Sequence, residues 1–325
     1  MHEALKYSAK NRKHSGILHG YDTTLYGIWV VFDTLVLPAN IVYYVNMEAR
    51  SPAEILAYTS DAGLAKAARK IPALLILAFF AGAFVAFAAE GSNMAAYNLL
   101  ANADTYGLGR AVAGAVFAAG LMMVLIAGGE LFTGNNLIIV AVLDRRVTVR
   151  QMLVNWFFVY FGNFLGSLLI AWMMVQSGLF NSSNGLLGGI TIRIAAGKTA
   201  LPFHTALLLG ILCNWLVCIA VWVSYAAKDV SGKVLMIFFV IWLFVISGFE
   251  HSIANMYYIP AGIFAKANPL WLDKAGISAE RLAGLNWSAF IIKNLIPVTL
   301  GNIIGGSGFV GALYWLALRK KAAAS

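Results

Sequence analysis

Two apolar stretches of this chain are too long for a single membrane crossing, and each is interrupted near its centre by polar residues. One runs from Ala111 to Leu143 and carries Glu130 and Gly134-Asn135-Asn136; the other runs from Val234 to Ala265 and carries Glu250-His251. A helical crossing needs only about 20 residues. A glutamate facing lipid is costly, and irregular backbone at membrane depth survives only where it faces protein or a cavity. Both stretches are therefore expected to be broken helices whose interruptions line something polar. Four uninterrupted apolar stretches accompany them: Ile71 to Ala89, Met152 to Val175, Leu201 to Ala227 and Leu295 to Leu318. With 61% hydrophobic and 11% charged residues, the chain falls in the membrane class. The expected fold is an all-α integral membrane protein of six transmembrane helices, the second and fifth broken.

The broken stretches repeat one another. Asn135 follows Glu130 by five residues, and Asn255 follows Glu250 by five. The stretches after them share N-x3-V-x2-G-N-x2-G, spelled by Asn155, Val159, Gly162, Asn163 and Gly166, and by Asn294, Val298, Gly301, Asn302 and Gly305. A three-helix unit is thus used twice. Because three is odd, the second copy must enter the membrane from the opposite side, which predicts an inverted repeat with its site near the midplane. The small-xxx-small pairs Gly162/Gly166 and Gly301/Gly305 predict close helix contact.

The net charge of +9 reads as topology rather than nucleic-acid binding. With both termini cytoplasmic, sixteen Lys and Arg lie inside and seven outside, the bias that orients inner-membrane proteins. The expected layout is residues 1–46 as an extension of undefined role, 47–70 as a cytoplasmic amphipathic segment, 71–318 as the six-helix domain and 319–325 as a cytoplasmic tail. Cys213 and Cys218 lie five residues apart and do not share a helical face, so no disulfide or metal pair is expected.

His251 is the one histidine deep inside an apolar stretch. An ionisable side chain at the midplane must be compensated and is a functional candidate, and histidine exchanges protons near neutral pH. The alternative is a neutral core histidine bonded to a helix carbonyl. Glu130 and Glu250 precede the restarting half-helices, where a carboxylate can accept backbone N–H groups at the positive dipole end. Thr133 stands three residues past Glu130 and can bond a histidine of the other repeat. Lys198 reads as a solvated loop charge, or else as a cation that concentrates anions at a pore mouth. Nucleotide-binding, zinc-protease and hydrolase motifs are missing from the sequence, and no cofactor is implied. A membrane-embedded enzyme using His251 with Glu130 or Glu250 is the alternative from another class, and a structural scaffold a third.

At these residues the chain resembles the formate/nitrite transporter family, most of all the bacterial formate channels. The resemblance rests on Glu130 to Asn135, Asn155 to Gly166, Lys198, and the segment Gly248-Phe249-Glu250-His251-Ser252-Ile253-Ala254-Asn255-Met256. It implies an aquaporin-like protomer, a homopentamer with one pore per protomer, a central pore histidine at His251 bonded to Thr133, and a vestibule lysine at Lys198 with Asn214 nearby. It also implies two hydrophobic constrictions: Leu121, Leu131 and Phe244 on the cytoplasmic side, and Phe117, Phe132 and Val217 on the outer side. Formate is the implied substrate, taken with or without a proton, with nitrite and hydrosulfide as alternatives.

Overall fold

The computed structural model describes residues 49–319; the expectations for residues 1–46 and for the tail beyond Arg319 lie outside them. Among the described residues every regular element is helical. They are α1 Pro52–Ala67, α2 Ile71–Ala101, α3 Tyr106–Met122, α4 Phe132–Leu143 in two short pieces, α5 Val149–Gln176 and α6 Ser182–Thr199. The second half has α7 Phe203–Ser224, α8 Val230–Ile246, α9 Ser252–Ala265, α10 Pro269–Ala275, α11 Ala279–Gly284 and α12 Trp287–Leu318, which contains π-helical turns. Five stretches are long and apolar enough to cross a membrane: α2, Ala103–Gly128 (which holds α3), α5, α7 and α12; α4 and α8 are shorter apolar helices.

Both long stretches break where the polar residues predicted. α3 ends in a π-turn, Met123–Gly128, and the chain restarts as a helix at Phe132. α8 ends at Ile246 and α9 begins at Ser252. Two glycines make the turns, each two residues before its glutamate: Gly128 at φ +92° and Gly248 at φ +77°. That region is costly for any residue with a Cβ.

The small residues of the repeat bring helix pairs into near backbone contact. A Cβ on Gly166 would lie 2.0 Å from the Phe79 carbonyl oxygen of α2, and one on Gly82 would lie 2.1 Å from that of Asn163 in α5. The second half copies this, with Gly301 and Gly305 of α12 against Leu207 and Ile211 of α7, each at 2.2 Å.

Two expectations are corrected. The first apolar stretch does not stop at Ala89: α2 continues through Glu90, buried at 4% exposure, because Tyr257 of α9 donates its hydroxyl to that carboxylate. The segment taken as a loop before the fourth stretch contains α6. Its Gly- and Ser-rich start does turn, with Ser183, Asn184 and Gly185 at φ +50°, +54° and +82°; the regular helix after them buries Leu187, Ile190 and Ile192, and Gly188, Gly189 and Gly262 let α10 and α9 pack tightly against it.

α1 starts with a capping box: Ser51 Oγ accepts from Glu54 N–H at 3.4 Å, and Glu54 Oε2 accepts from Ser51 N–H at 2.7 Å. That backbone bond, then the Ser51 hydroxyl, holds the Glu54 carboxyl below its ordinary 4.5. A lowered value means that the cap is intact at neutral pH and is lost as pH falls below 4.5 through the folded-state value. Hydrogen exchange at the Ser51 and Glu54 amides should accelerate over that acidic window relative to the middle of α1; protection unchanged by acid would contradict the box. In the core, Gly166→Val should abolish folded protein in detergent, since overpacking alone costs ~1–3 kcal/mol and here meets backbone. Gly107→Ala, with nothing within 4 Å of the added carbon, should melt like wild type.

Candidate functional site

Breaking a helix strands backbone groups, and in an apolar surround each must find another partner. One asparagine per half supplies it. Asn163 Oδ1 accepts from Phe132 N–H at 2.9 Å, and its Nδ2 donates to the carbonyls of Glu130 (2.8 Å) and Ala78 (2.7 Å). Asn302 Oδ1 accepts from Ser252 N–H at 2.9 Å, and its Nδ2 donates to the carbonyls of Glu250 (3.0 Å) and Gly210 (2.8 Å). The glutamate N–H groups are satisfied alike, Glu130 by Leu77 O at 3.1 Å and Glu250 by Leu209 O at 3.2 Å.

A second polar cluster locks each half-helix. Asn135 Nδ2 donates to Glu130 Oε2 (2.7 Å) and Asn155 Oδ1 (2.9 Å), Asn155 Nδ2 to Lys66 O (3.0 Å), and Lys66 Nζ to Glu130 Oε2 (2.9 Å). Its twin joins Asn255 Nδ2 to Glu250 Oε2 (2.7 Å) and Asn294 Oδ1 (2.7 Å), Asn294 Nδ2 to Lys198 O (3.0 Å), and Lys198 Nζ to Glu250 Oε1 (2.6 Å). α1 and α6, which bring the lysines, are therefore part of the repeat.

This corrects the role given to the glutamates. Among the described residues, hydrogen bonds and ion pairs to their carboxylates come from Asn and Lys side chains, with Arg69 Nε 3.4 Å from Glu130 Oε1, and not from helix N–H groups. The side-chain cap of α9 is His251 instead: its Nδ1 accepts from Ala254 N–H at 3.0 Å. Lys198, likewise, is no solvated loop charge. It is a paired residue in the last turn of α6, 5.4 Å from the Tyr258 ring centroid.

The two breaks meet at His251 and Thr133. His251 Nε2 lies 3.0 Å from Thr133 Oγ1, and both residues are buried. With Nδ1 occupied as an acceptor, the neutral ring carries its proton on Nε2, which donates to the threonine. The Thr133 hydroxyl proton is then free to donate elsewhere. Below it the Thr133 carbonyl accepts from Asn214 Nδ2 (3.3 Å) and Cys218 Sγ (3.2 Å). Asn214 also donates to Asn136 Oδ1 and Asn302 O, so it braces the two breaks rather than lining the cavity of Lys198.

Cavities flank this junction. On the Lys198 side a vestibule of ≈ 340 Å³ is lined by His251, Phe117, Phe244, Lys198, Arg110 and Arg193, among others. On the Lys66 side a cavity of ≈ 20 Å³, room for about one water, is lined by Leu121, Leu131, Lys66, Asn135, Val221 and Tyr225. The expected constrictions regroup. Phe244 faces Phe117 (centroids 5.8 Å apart) and His251 (5.9 Å) on the Lys198 side, not Leu121 and Leu131. Phe132 turns away, stacking edge-on against Tyr160 and Trp156 beside an apolar lateral groove. Val217 is buried in α7, one turn from Asn214.

Lys66, Asn155, Asn163, Asn294 and Asn302 were not singled out as site residues from the sequence. The shared motif contained the asparagines, and the signal that could have assigned them was the count of backbone groups each break must satisfy.

An apolar helical bundle, with two broken helices meeting at a buried histidine between two cavities, defines a multi-pass membrane protein of the channel or transporter class. A family model described as "Formate/nitrite transporter" matches residues 53–316, and the chain belongs to that family. It is 36% identical over 286 residues to a probable formate transporter of Methanothermobacter thermautotrophicus (84% of this chain, 98% of that one). It is 38% identical over 271 residues to the formate channel FocA of Escherichia coli K12 (82% and 93%). Among solved structures it is similar to a pentameric formate channel with formate bound (TM-score 0.66, 36% identity, 76% of this chain and 97% of that one). It is also similar to an FNT family ion channel (TM-score 0.68, 27% identity, 81% and 98%).

Asn302→Leu leaves the Ser252 N–H and the Glu250 carbonyl of the break without partners, at ~1–3 kcal/mol each. It should cut the yield of folded protein severely and lower its melting temperature far more than Thr299→Val, which removes only a peripheral bond to Tyr160. Equal losses would contradict the splint role.

Proposed function

We propose that this protein conducts formate across the membrane, through the vestibule, past His251 and Thr133, and out by the Leu121–Leu131 cavity. The observation that carries the reading is the His251–Thr133 contact at the meeting of two helix breaks, with a cavity on either side. The relatives named formate channels, and the similar structure described with formate bound, support the substrate. Nitrite and hydrosulfide are the alternatives of similar size.

The chemistry follows from the lining. Arg110, Arg193 and Lys198 outnumber Glu250 on the vestibule wall, so the mouth concentrates anions. Beyond it, Phe117, Phe244, Leu121 and Leu131 make passage of a bare charge costly, whereas the neutral acid crosses at little cost. His251 favours this step through Thr133: its Nε2–H is held by the threonine oxygen, which leaves the Thr133 hydroxyl proton to donate to the anion. Taking a second proton on Nδ1 would break its bond to Ala254 N–H, so the His251–Thr133 pair polarises the anion while water supplies the proton. Apolar narrowings of this kind can also gate.

The charge bias puts both termini, and so the Lys66 side, in the cytoplasm of a cell whose inner membrane holds the protein. Residues 71–318 then form a six-span inverted-repeat channel domain, with 47–70 at the cytoplasmic surface and 319–325 as its tail. A homopentamer, as in the similar structure, is the assembly we favour, one pathway per protomer.

Formate uptake into proteoliposomes should saturate, rise as pH falls, and collapse in His251→Asn; nitrite and hydrosulfide should compete weakly. Flux of a competitor but not of formate would keep the pathway and change its substrate. Flux of none of the three would overturn the reading.

A further inference from the structure

Glu90 lies outside the His251–Thr133 junction and both lysine–glutamate clusters. It sits in the body of α2, within a run of buried alanines, at 4% exposure. One carboxylate oxygen, Oε2, accepts the hydroxyl of Tyr257, itself fully buried. The other, Oε1, is buried without a partner among the described residues. An ionisable group left half-matched inside a membrane helix is costly and marks a working site more often than a packing one.

A second orphan lies beside it. Asn93 follows Glu90 by three residues, hence on the same face of α2. It is 2% exposed, and its Nδ2 also has no partner. Asn93 belongs to the vestibule wall, as do its neighbour Ser92 and the Tyr258 that follows Tyr257. Thus an unmatched donor faces the vestibule and an unmatched acceptor lies one turn deeper.

Tyr257 also stands on α9, the half-helix that His251 caps. The charged and titratable groups facing this corner are Tyr257 and Tyr258 from α9, Tyr106 and Arg110 from α3, and Arg193 and Lys198 from α6 across the vestibule, with Glu250 and His251 at the break. Arg110 itself donates to the Val245 carbonyl.

We infer that Glu90 is a proton-exchanging carboxyl of the pathway, reached from the vestibule through a water held between Asn93 Nδ2 and Glu90 Oε1. The step is an acid–base exchange: hydronium in the vestibule gives its proton to the Glu90 carboxylate, leaving water and a carboxylic acid hydrogen-bonded to Tyr257, and the reverse returns it. This rests on the proposed conduction of a protonated anion only for its purpose, which is to hold a proton beside the vestibule without charging the imidazole of His251. The site itself can be tested without any transport.

The test is difference infrared spectroscopy of the full-length protein in lipid, titrated with acid without formate. We expect a carboxylic-acid carbonyl band that appears on acidification, is lost in Glu90→Gln, and exchanges with deuterium more slowly in Asn93→Leu. If Glu90→Gln does not assemble, Tyr257→Phe keeps the carboxyl and removes its donor, and the same band should shift. A titrating band that is identical in wild type and Glu90→Gln, or unmoved by Tyr257→Phe, overturns the assignment. In proteoliposomes, Glu90→Gln should flatten the pH dependence of flux while His251→Asn abolishes flux. An unaltered profile in Glu90→Gln would reduce Glu90 to a positioning residue for α9.

Discussion

A polypeptide that leaves its helix inside an apolar surround must rehouse every N–H and C=O it frees. This chain does so twice, with one asparagine side chain each time. Asn163 and Asn302 act as splints: each amide accepts the first stranded N–H of a half-helix and donates both to the glutamate carbonyl of the break and to a carbonyl of the neighbouring long helix. They reach those carbonyls only because glycines at 82, 166, 301 and 305 let the paired helices nearly touch. Without the splints the breaks could not stay extended, and without the breaks there would be no His251–Thr133 junction.

The lysine–glutamate–asparagine clusters give the same economy at the mouths. A glutamate beside a helix break is an expensive residue, and each is matched by a lysine and an asparagine, with the remaining asparagine fixing the lysine's own carbonyl. The result is a cation at each end of the proposed passage that is held by its partners rather than waving in solvent. Between the mouths the lining turns from charged to aromatic to aliphatic, and the polar contact at its centre is a histidine whose second nitrogen is already committed to capping α9. That commitment makes His251 a fixed donor more than a titrating acid.

The sequence carried the outline of this in its periodicity. Two over-long apolar stretches, each with a central glutamate, announced the breaks, and a five-position motif announced the repeat. The repeat aligns Thr133 with Ile253, two residues past His251, and the pairing of Thr133 with His251 came from the resemblance to the family. Other features were hidden for physical reasons. α6 begins with residues that favour turns and do turn, at Ser183, Asn184 and Gly185; the helix after them is held by burial against α9 and α10, which spacing alone does not announce. Glu90 looked like the end of a span because a charge usually is one; its partner, Tyr257, lies 167 positions away. Lys66 read as a surface cation until Glu130 came beside it. The rotation of Phe132 toward Trp156 and Tyr160, and of Phe244 toward Phe117, depends on how broken segments enter their helices, which spacing along the chain does not encode.

In the proposed pathway His251 and Thr133 act as one unit on the permeating anion. The most direct test is a double-mutant cycle on formate flux in proteoliposomes, using Thr133→Val and His251→Gln alone and together. If the contact is the unit proposed, the double variant should retain as much of the residual flux as the more damaged single one. Losses that multiply, each substitution acting as though the other were absent, would contradict it.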